Sequence, residues 1–207
     1  MAGSAATLLI ATSNPGKFRE LDSLMSGSLF SLVSLSDVGI ETNVPETGST
    51  LEENAVLKAT AYARLSGMLT LADDSGLEVE VLGGEPGPLS ARYAGEGVTD
   101  TQRIAYLLQR LNNIPEEECV ARFRCVLAVA GPDRPVELYS GECRGRIAKK
   151  SRGMGGFGYD PVFFLPELGK TMAELSPEEK NRVSHRSRAS EKAVAALNRT
   201  AAMRGED

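Results

Sequence analysis

The stretch at residues 69–82, LTLADDSGLEVEVL, constrains the fold more than any other part of the chain. An apolar run leads into two adjacent acids, Asp73 and Asp74, and alternating apolar and acidic residues follow from Leu77. Alternation with a period of two is typical of a strand with one buried face. We therefore predict that one strand ends at the acids and that the chain bends there into a second strand, a common position for catalytic groups in α/β proteins.

The adjacent carboxylates admit two interpretations. They repel each other, so they require a cation, a proton or water nearby, as in a catalytic site. Asp-Asp-Ser-Gly is also an ordinary turn sequence, because these residues favour turns. The rest of the chain has to decide between a site and a turn.

Composition narrows the class of protein. A chain of 207 residues with 42% hydrophobic and 25% charged residues is typical of one globular domain, for which we expect frayed tails at residues 1–6 and 204–207. A net charge of -5 argues against a nucleic-acid-binding surface. The apolar residues 5–11 are too few to span a membrane and follow no basic residue, so neither a membrane anchor nor a signal peptide is expected.

Cysteine and histidine usage limits the metal chemistry. Three cysteines without C-x-x-C spacing form neither a disulfide framework nor a zinc site, and they favour a reducing, cytoplasmic location. The only histidine, His185, excludes a multi-histidine centre. Any metal would therefore have oxygen ligands, which indicates Mg²⁺ or Mn²⁺.

The segment TSNPGK at residues 12–17 lies between a predicted strand and a predicted helix. A polar loop that contains Gly and ends in Lys17 can present backbone N–H groups and a cation to phosphate. The loop is not a Walker A motif, and Asn-Pro-Gly is also a routine turn.

A second helix is predicted from the capping box at Thr50 and Glu53 to Ser66, with Gly67 as its stop. Glu46 just before this helix and Lys58 on it could both lie close to the two aspartates. The alternative is an exposed acidic helix start with a solvated lysine.

Further strands are predicted at residues 121–130, 136–139, 143–147 and 162–165, with a helix from Thr99. The glycine-rich segment, residues 153–160 (GMGGFGYD), brings Phe157 and Tyr159 to a place where a planar base could stack, unless it is only a flexible loop. Ser184 is expected to cap the last helix, and Arg186 in its first turn opposes the macrodipole unless an anion is near.

These motifs, in this order, resemble the inosine triphosphate pyrophosphatases, also called XTP/dITP pyrophosphatases. The resemblance spans nearly the whole chain and includes SARYAG at residues 90–95, AEL at residues 173–175 and SHR at residues 184–186. Leu51 and Leu89 depart from the family, which usually has aromatic residues at these packing positions.

The resemblance implies a fold and an activity. The fold would be α/β, a long mixed twisted sheet flanked by helices, as a single domain of two lobes with a nucleotide-binding cleft between them. The activity would be hydrolysis of ITP, dITP, XTP and dXTP to the monophosphate and pyrophosphate by a cytoplasmic homodimer.

The resemblance also implies roles for individual residues. Glu46 and Asp74 would hold Mg²⁺, with Mn²⁺ as a substitute, and Asp74 would accept a proton. Asp73 and Glu53 could hold a second ion or tune Asp74. The implied substrate-binding residues are Thr12, Ser13, Asn14, Pro15, Gly16, Lys17, Lys58, Ser75, Phe157, Gly158, Tyr159, Asp160, Lys180, His185 and Arg186.

Two other functions use similar features. A non-catalytic nucleotide sensor would need the phosphate loop and the aromatic ring but not Glu46 together with Asp74. A pyrophosphatase of the Maf type would share the general architecture and act on modified pyrimidine triphosphates.

Overall fold

The structure, a computed structural model, describes residues 6–132 and 134–204. These residues form a mixed sheet of eight strands and five α-helices, which confirms the predicted α/β class with a long sheet flanked by helices. Residues 1–5 and 205–207, predicted as tails, lie outside the described residues, whereas Ala6 begins the first strand and Arg204 ends the last helix.

The strands are β1 (Ala6–Ala11), β2 (Phe30–Ser34), β3 (Thr70–Val79), β4 (Pro86–Gly87), β5 (Val120–Gly131), β6 (Arg134–Ile147), β7 (Phe163–Leu165) and β8 (Lys170–Thr171). The helices are α1 (Pro15–Leu24), α2 (Leu51–Ser66), α3 (Asp100–Arg110), α4 (Pro177–Val183) and α5 (His185–Arg204). The order in the sheet is β2-β1-β3-β5-β6-β7-β8, and β4 pairs with β3. β1 is parallel to β2 and β3, whereas the β3–β4, β6–β7 and β7–β8 pairs are antiparallel.

The chain divides into two compact units. The first consists of Met1–Asp74, Cys125–Gly141 and Arg186–Asp207, as far as these residues are described. β1 is buried on both faces from Leu8 onward, because alternate side chains such as Leu8 and Leu9 enter different cores. One core packs against α2 through residues such as Ala55, and the other packs against α1 and α5 through residues such as Leu21 and Ala193.

The second unit consists of Ser75–Arg124 and Glu142–His185. Its core joins apolar residues of β3, β5, β6 and β7 to the apolar stripe of α3, in which Leu107 is fully buried. Gly76 permits the pairing of β3 with β4, because a side chain at this position would overlap the carbonyl oxygen of Gly87.

Two strand predictions are wrong. β3 runs without interruption through Asp73, Asp74 and Ser75, and it ends at Val79, where a 3₁₀ turn follows. The acids do not require a bend, because lysine and arginine side chains neutralise them within the strand. The predicted strands at residues 136–139 and 143–147 form one strand, β6, whose pairing outweighs the turn propensity of Ser140 and Gly141.

None of the helices in the described parts of the chain is long and apolar enough to cross a membrane.

Candidate active site

Strand register brings two of the predicted polar segments together in the first unit. β1 and β3 are parallel, and Ala11 lies opposite Ala72. The loop after β1 therefore begins beside the two acids, which continue β3 past the end of β1. Ligands of α/β proteins commonly bind where a strand of the sheet ends. Lys17, in the first turn of α1, places its Nζ 2.5 Å from Asp73 Oδ1.

Asp73 anchors two cations. Its side chain is fully buried and accepts hydrogen bonds from Lys17, from Arg186 Nε at 2.8 Å and from the Cys125 thiol at 3.2 Å. Burial by itself would raise the pKa of Asp73. Arg186 and then Lys17 lower it by more, so the pKa lies well below its usual range. Asp73 is therefore an ionised structural partner and a poor proton acceptor.

Arg186 is 1% exposed and also contacts the Glu20 carboxylate. The sequence predicted an anion beside this cation at the start of α5. Within the described residues, the carboxylates of Asp73 and Glu20 provide that negative charge, which explains how the guanidinium is buried.

Lys58 on α2 joins the two carboxylates that were predicted as metal ligands. Its Nζ lies 2.6 Å from Glu46 Oε1, 2.7 Å from Asp74 Oδ1 and 2.8 Å from the Asp73 carbonyl oxygen. Burial lowers the pKa of Lys58, but Asp74 and then Glu46 raise it by more. We call Glu46, Lys58 and Asp74 the carboxylate–lysine cluster.

Asp74 differs from Asp73 in the direction of its pKa shift, and one of its carboxylate oxygens has no hydrogen-bond partner among the described residues. Burial raises the pKa of Asp74 to about 6, although Lys58 and Lys17 act in the opposite direction. Its Oδ2 is buried and has no hydrogen-bond partner among the described residues. Asp74 can therefore exchange a proton near neutral pH through an oxygen that the protein does not otherwise use.

The carboxylate–lysine cluster fits a magnesium ion that also binds phosphate. Over residues 6–132 and 134–204, no three His, Cys, Asp or Glu side chains group closely enough to hold a metal by themselves. Mg²⁺ is usually held by one or two carboxylates together with waters and substrate phosphates. Two carboxylates on one ammonium, with Asp74 Oδ2 left over, match that donor set.

The first turn of α2 holds the loop that carries Glu46. Thr50 caps the helix. Glu53 Oε2 accepts hydrogen bonds from Ser49 N at 2.6 Å and from Ser49 Oγ at 2.8 Å. Asn54 Oδ1 accepts a further one from Gly48 N at 2.8 Å. Glu53, predicted as a second metal ligand or a tuning acid, is thus used to close this loop.

The predicted phosphate loop is held by its own side chains. Asn14 Oδ1 accepts hydrogen bonds from Gly16 N at 2.8 Å and Lys17 N at 3.0 Å, and Pro15 starts α1. Asn14 therefore already caps two amides that were predicted to bind phosphate. A cavity of about 600 Å³ lies beside the loop and is lined by residues that include Thr12, Ser13, Asn14 and Pro15.

Two of the predicted base-binding residues, Asp160 and Lys180, contact Phe157 in the second unit. Lys180 Nζ lies 5.0 Å from the centroid of the Phe157 ring and 2.5 Å from Asp160 Oδ2. The same Asp160 oxygen accepts a hydrogen bond from Phe157 N at 2.9 Å. Asp160 thus holds the Lys180 ammonium over the face of the Phe157 ring, in a cation–π contact.

Two predicted base-site side chains are buried. Tyr159 is 4% exposed, packs in the hydrophobic core and donates its hydroxyl to Ser90 O at 3.0 Å, so its ring forms no stacking platform with Phe157. His185 is also 4% exposed and stacks on Phe123 at 4.8 Å between ring centroids.

The predicted site residues are divided between the two units. Ser75 is half-buried in β3. The second unit contains Ser75, Phe157, Gly158, Tyr159, Asp160, Lys180 and His185, and the first unit contains the other predicted site residues. No local sequence pattern predicted Glu20, Cys125 or Asp100 as part of the site. Glu20 accepts from Arg186, the Cys125 thiol donates to Asp73, and Asp100 accepts from Gly158 N. Asp100 follows the capping residue Thr99, which indicated a helix start but no link to the glycine-rich segment.

Known proteins resemble this chain over most of its length. The Ham1 family model matches residues 8–196. A dITP/XTP pyrophosphatase of Geobacillus kaustophilus is 54% identical over 182 residues, which are 88% of this chain and 89% of that protein. A dITP/XTP pyrophosphatase of Thermus thermophilus is 50% identical over 182 residues, 88% of this chain and 87% of that protein.

Solved structures agree with the sequence relatives. The Staphylococcus aureus Ham1 protein matches with a TM-score of 0.83 and 41% identity, covering 97% of this chain and 100% of that chain. The nucleoside-triphosphatase / dITP/XTP pyrophosphatase of Mycobacterium abscessus matches with a TM-score of 0.73 and 42% identity, covering 92% of this chain and 98% of that chain.

Proposed function

Because this chain belongs to the Ham1 family, we propose that it is a nucleoside triphosphate pyrophosphatase that hydrolyses dITP and XTP to the monophosphate and pyrophosphate. ITP and dXTP carry the same bases and complete the proposed substrate set. Such an enzyme would remove deaminated purine nucleotides before polymerases incorporate them.

The observation that carries the proposal is the carboxylate–lysine cluster. Lys58 holds Glu46 and Asp74 on one ammonium group, while Asp74 keeps a buried oxygen without a partner among the described residues. A nucleotide sensor would need neither the paired carboxylates nor an acid whose pKa is raised to about 6.

Glu46 and Asp74 are the residues that we propose to hold Mg²⁺, or Mn²⁺ in its place. The ion would supply charge neutralisation for the phosphate oxygens. Asp74 Oδ2 would accept the proton of the attacking water as the water oxygen bonds to phosphorus and the α–β P–O bond breaks. Pyrophosphate then leaves with the electron pair of that bond.

Lys17 and Lys58 are proposed to orient the phosphates. Asp73 keeps the Lys17 ammonium in place, so less side-chain freedom is lost when phosphate binds. Thr12 and Ser13 line the cavity beside the loop and offer hydroxyl donors, whereas the amides of Gly16 and Lys17 are capped by Asn14.

Base choice is proposed to depend on Phe157 and Lys180. The Lys180 ammonium lies over the Phe157 ring and can only donate hydrogen bonds, and we propose that it meets the base that binds against this ring. Hypoxanthine and xanthine carry an accepting oxygen at position 6, whereas adenine carries an amino donor there. A donor facing a donor leaves both unpaired, and such a mismatch can discriminate strongly between substrates.

We further propose that the enzyme works as a cytoplasmic homodimer. The family resemblance supports the dimer, and three buried cysteine thiols suit a reducing compartment. Sedimentation equilibrium and cell fractionation test these two statements.

The test of the proposed activity is a product assay with Mg²⁺ and a panel of dITP, XTP, dATP, dGTP, dUTP and modified pyrimidine triphosphates. We expect pyrophosphate and monophosphate from dITP and XTP, with kcat/KM on the order of a hundredfold or more above that for dATP. Orthophosphate as the product, equal turnover of dATP, or preference for a pyrimidine would overturn the proposal.

A further inference from the structure

The two peptide groups that flank Phe157 are both held by carboxylates. Phe157 N donates to Asp160 Oδ2 at 2.9 Å, and the next amide, Gly158 N, donates to Asp100 Oδ2 at 2.6 Å. Asp160 lies within the same glycine-rich segment, whereas Asp100 comes from the first turn of α3, 58 residues away in sequence from Gly158. The backbone on either side of the Phe157 ring is thus fixed from two directions.

Such anchoring matters because the glycine-rich segment has little rigidity of its own. Gly153, Gly156 and Gly158 have φ values of 82°, 72° and 62°, in the left-handed region that glycine adopts most readily. Glycine also has the greatest backbone freedom to lose on ordering. Hydrogen bonds from outside the segment are therefore needed to hold one conformation.

The Asp100 carboxylate is itself held in place. Arg103, one turn later on α3, pairs with Asp100 Oδ1 and donates to Ala91 O at 2.6 Å. One Asp100 oxygen therefore faces the arginine, and the other remains directed at Gly158. The Tyr159 hydroxyl donates to Ser90 O at 3.0 Å. The glycine-rich segment and Arg103 therefore bind two adjacent carbonyl groups, those of Ser90 and Ala91.

A simpler explanation is that Asp100 only stabilises α3. An acid in the first helical turn interacts favourably with the macrodipole, and an (i, i+3) pair with arginine adds a few tenths of a kcal/mol. Neither effect requires the hydrogen bond to Gly158. That bond uses a charged acceptor at 2.6 Å, and charge-assisted bonds are the stronger kind.

We propose that Asp100 is a positioning residue for base recognition: by holding the Gly158 amide, it sets the Phe157 ring beside Lys180. This inference rests on the proposed function, in which Phe157 stacks on the purine. Asp100 acts through the backbone of the glycine-rich segment and does not touch the reacting groups. Its loss weakens binding of the base and leaves the carboxylate–lysine cluster unchanged.

The test compares Asp100→Ala, Asp100→Asn and Thr99→Ala with the wild type. Asp100→Ala removes the acceptor, and we expect KM for dITP to rise about tenfold while kcat changes less than about twofold. Asp100→Asn retains one accepting oxygen for two donors, Arg103 and Gly158 N, so we expect it to recover only part of the loss. Thr99→Ala removes the α3 cap, which should lower the stability of the helix, and leaves the Asp100 carboxylate in place.

A binding measurement separates this inference from the proposed activity. Calorimetry with IMP should show about tenfold weaker binding to Asp100→Ala, and calorimetry with Mg²⁺ and pyrophosphate should show no change. If the wild type binds IMP more tightly than Asp100→Ala does but fails to hydrolyse dITP, the positioning role of Asp100 is supported and the proposed activity is overturned. The positioning role is overturned if the wild type does not bind IMP, if Asp100→Ala leaves KM and IMP affinity unchanged, or if Thr99→Ala reproduces its effect.

Discussion

Lys17 Nζ lies 2.5 Å from Asp73 Oδ1, and the Asp73 side chain has no exposure to solvent. The other Asp73 oxygen accepts from Arg186 Nε, so a single carboxylate compensates two cations. Removing one member of a buried ion pair is costly because it leaves the partner charge uncompensated.

We therefore expect Asp73→Asn to lower the free energy of unfolding by about 3 kcal/mol or more, measured by urea denaturation. The matched control is Arg110→Gln, which breaks an exposed ion pair with Glu85. That change should cost less than about 1 kcal/mol. Equal small losses for both variants would contradict the anchoring role of Asp73.

We expect Glu46→Gln to weaken the binding of Mg²⁺. The substitution removes one of the two carboxylates on Lys58, so the Mg²⁺ concentration for half-maximal activity should rise roughly tenfold, the effect of one charge-assisted contact of about 1.5 kcal/mol. Glu117→Gln, which changes an exposed acid of the second unit, serves as the control and should leave the Mg²⁺ titration unchanged. A Glu46→Gln titration that overlays the wild type would show that Glu46 is not a metal ligand.

We expect the burial of Tyr159 to make the protein less stable in alkaline solution. Burial raises the pKa of the Tyr159 hydroxyl above its usual value near 10, so the folded protein disfavours the phenolate more than the unfolded chain does. The stabilising contribution is present below pH 10 and is lost as the pH rises from there towards the folded-state pKa. The free energy of unfolding of the wild type should therefore fall more steeply above pH 10 than that of Tyr159→Phe, and parallel curves would contradict this assignment.

Local sequence patterns predicted the parts of the site that depend on short-range structure. The capping residue Thr50 and the stop at Gly67 correctly fixed the limits of α2, and with them the position of Lys58 on the helix. The polar loop after β1 was also recognised, because a strand, Asn-Pro-Gly and a helix follow each other within a few residues.

The different environments of Asp73 and Asp74 could not be predicted in the same way. Asp73 is held by Arg186, 113 residues away, and by Cys125, 52 residues away, and no local pattern encodes either contact. For the same reason the sequence predicted a bend at the acids, whereas tertiary ion pairs allow β3 to continue through them.

The most direct test of the account is the turnover of dITP by Asp74→Asn, with substrate binding measured in parallel. The variant keeps the size of the side chain but removes the carboxylate that we propose as a metal ligand and whose Oδ2 we propose as the proton acceptor. We expect kcat to fall on the order of a hundredfold or more while the protein remains folded and dITP still binds. Retention of more than about a tenth of wild-type kcat would contradict the assignment of Asp74 to both roles.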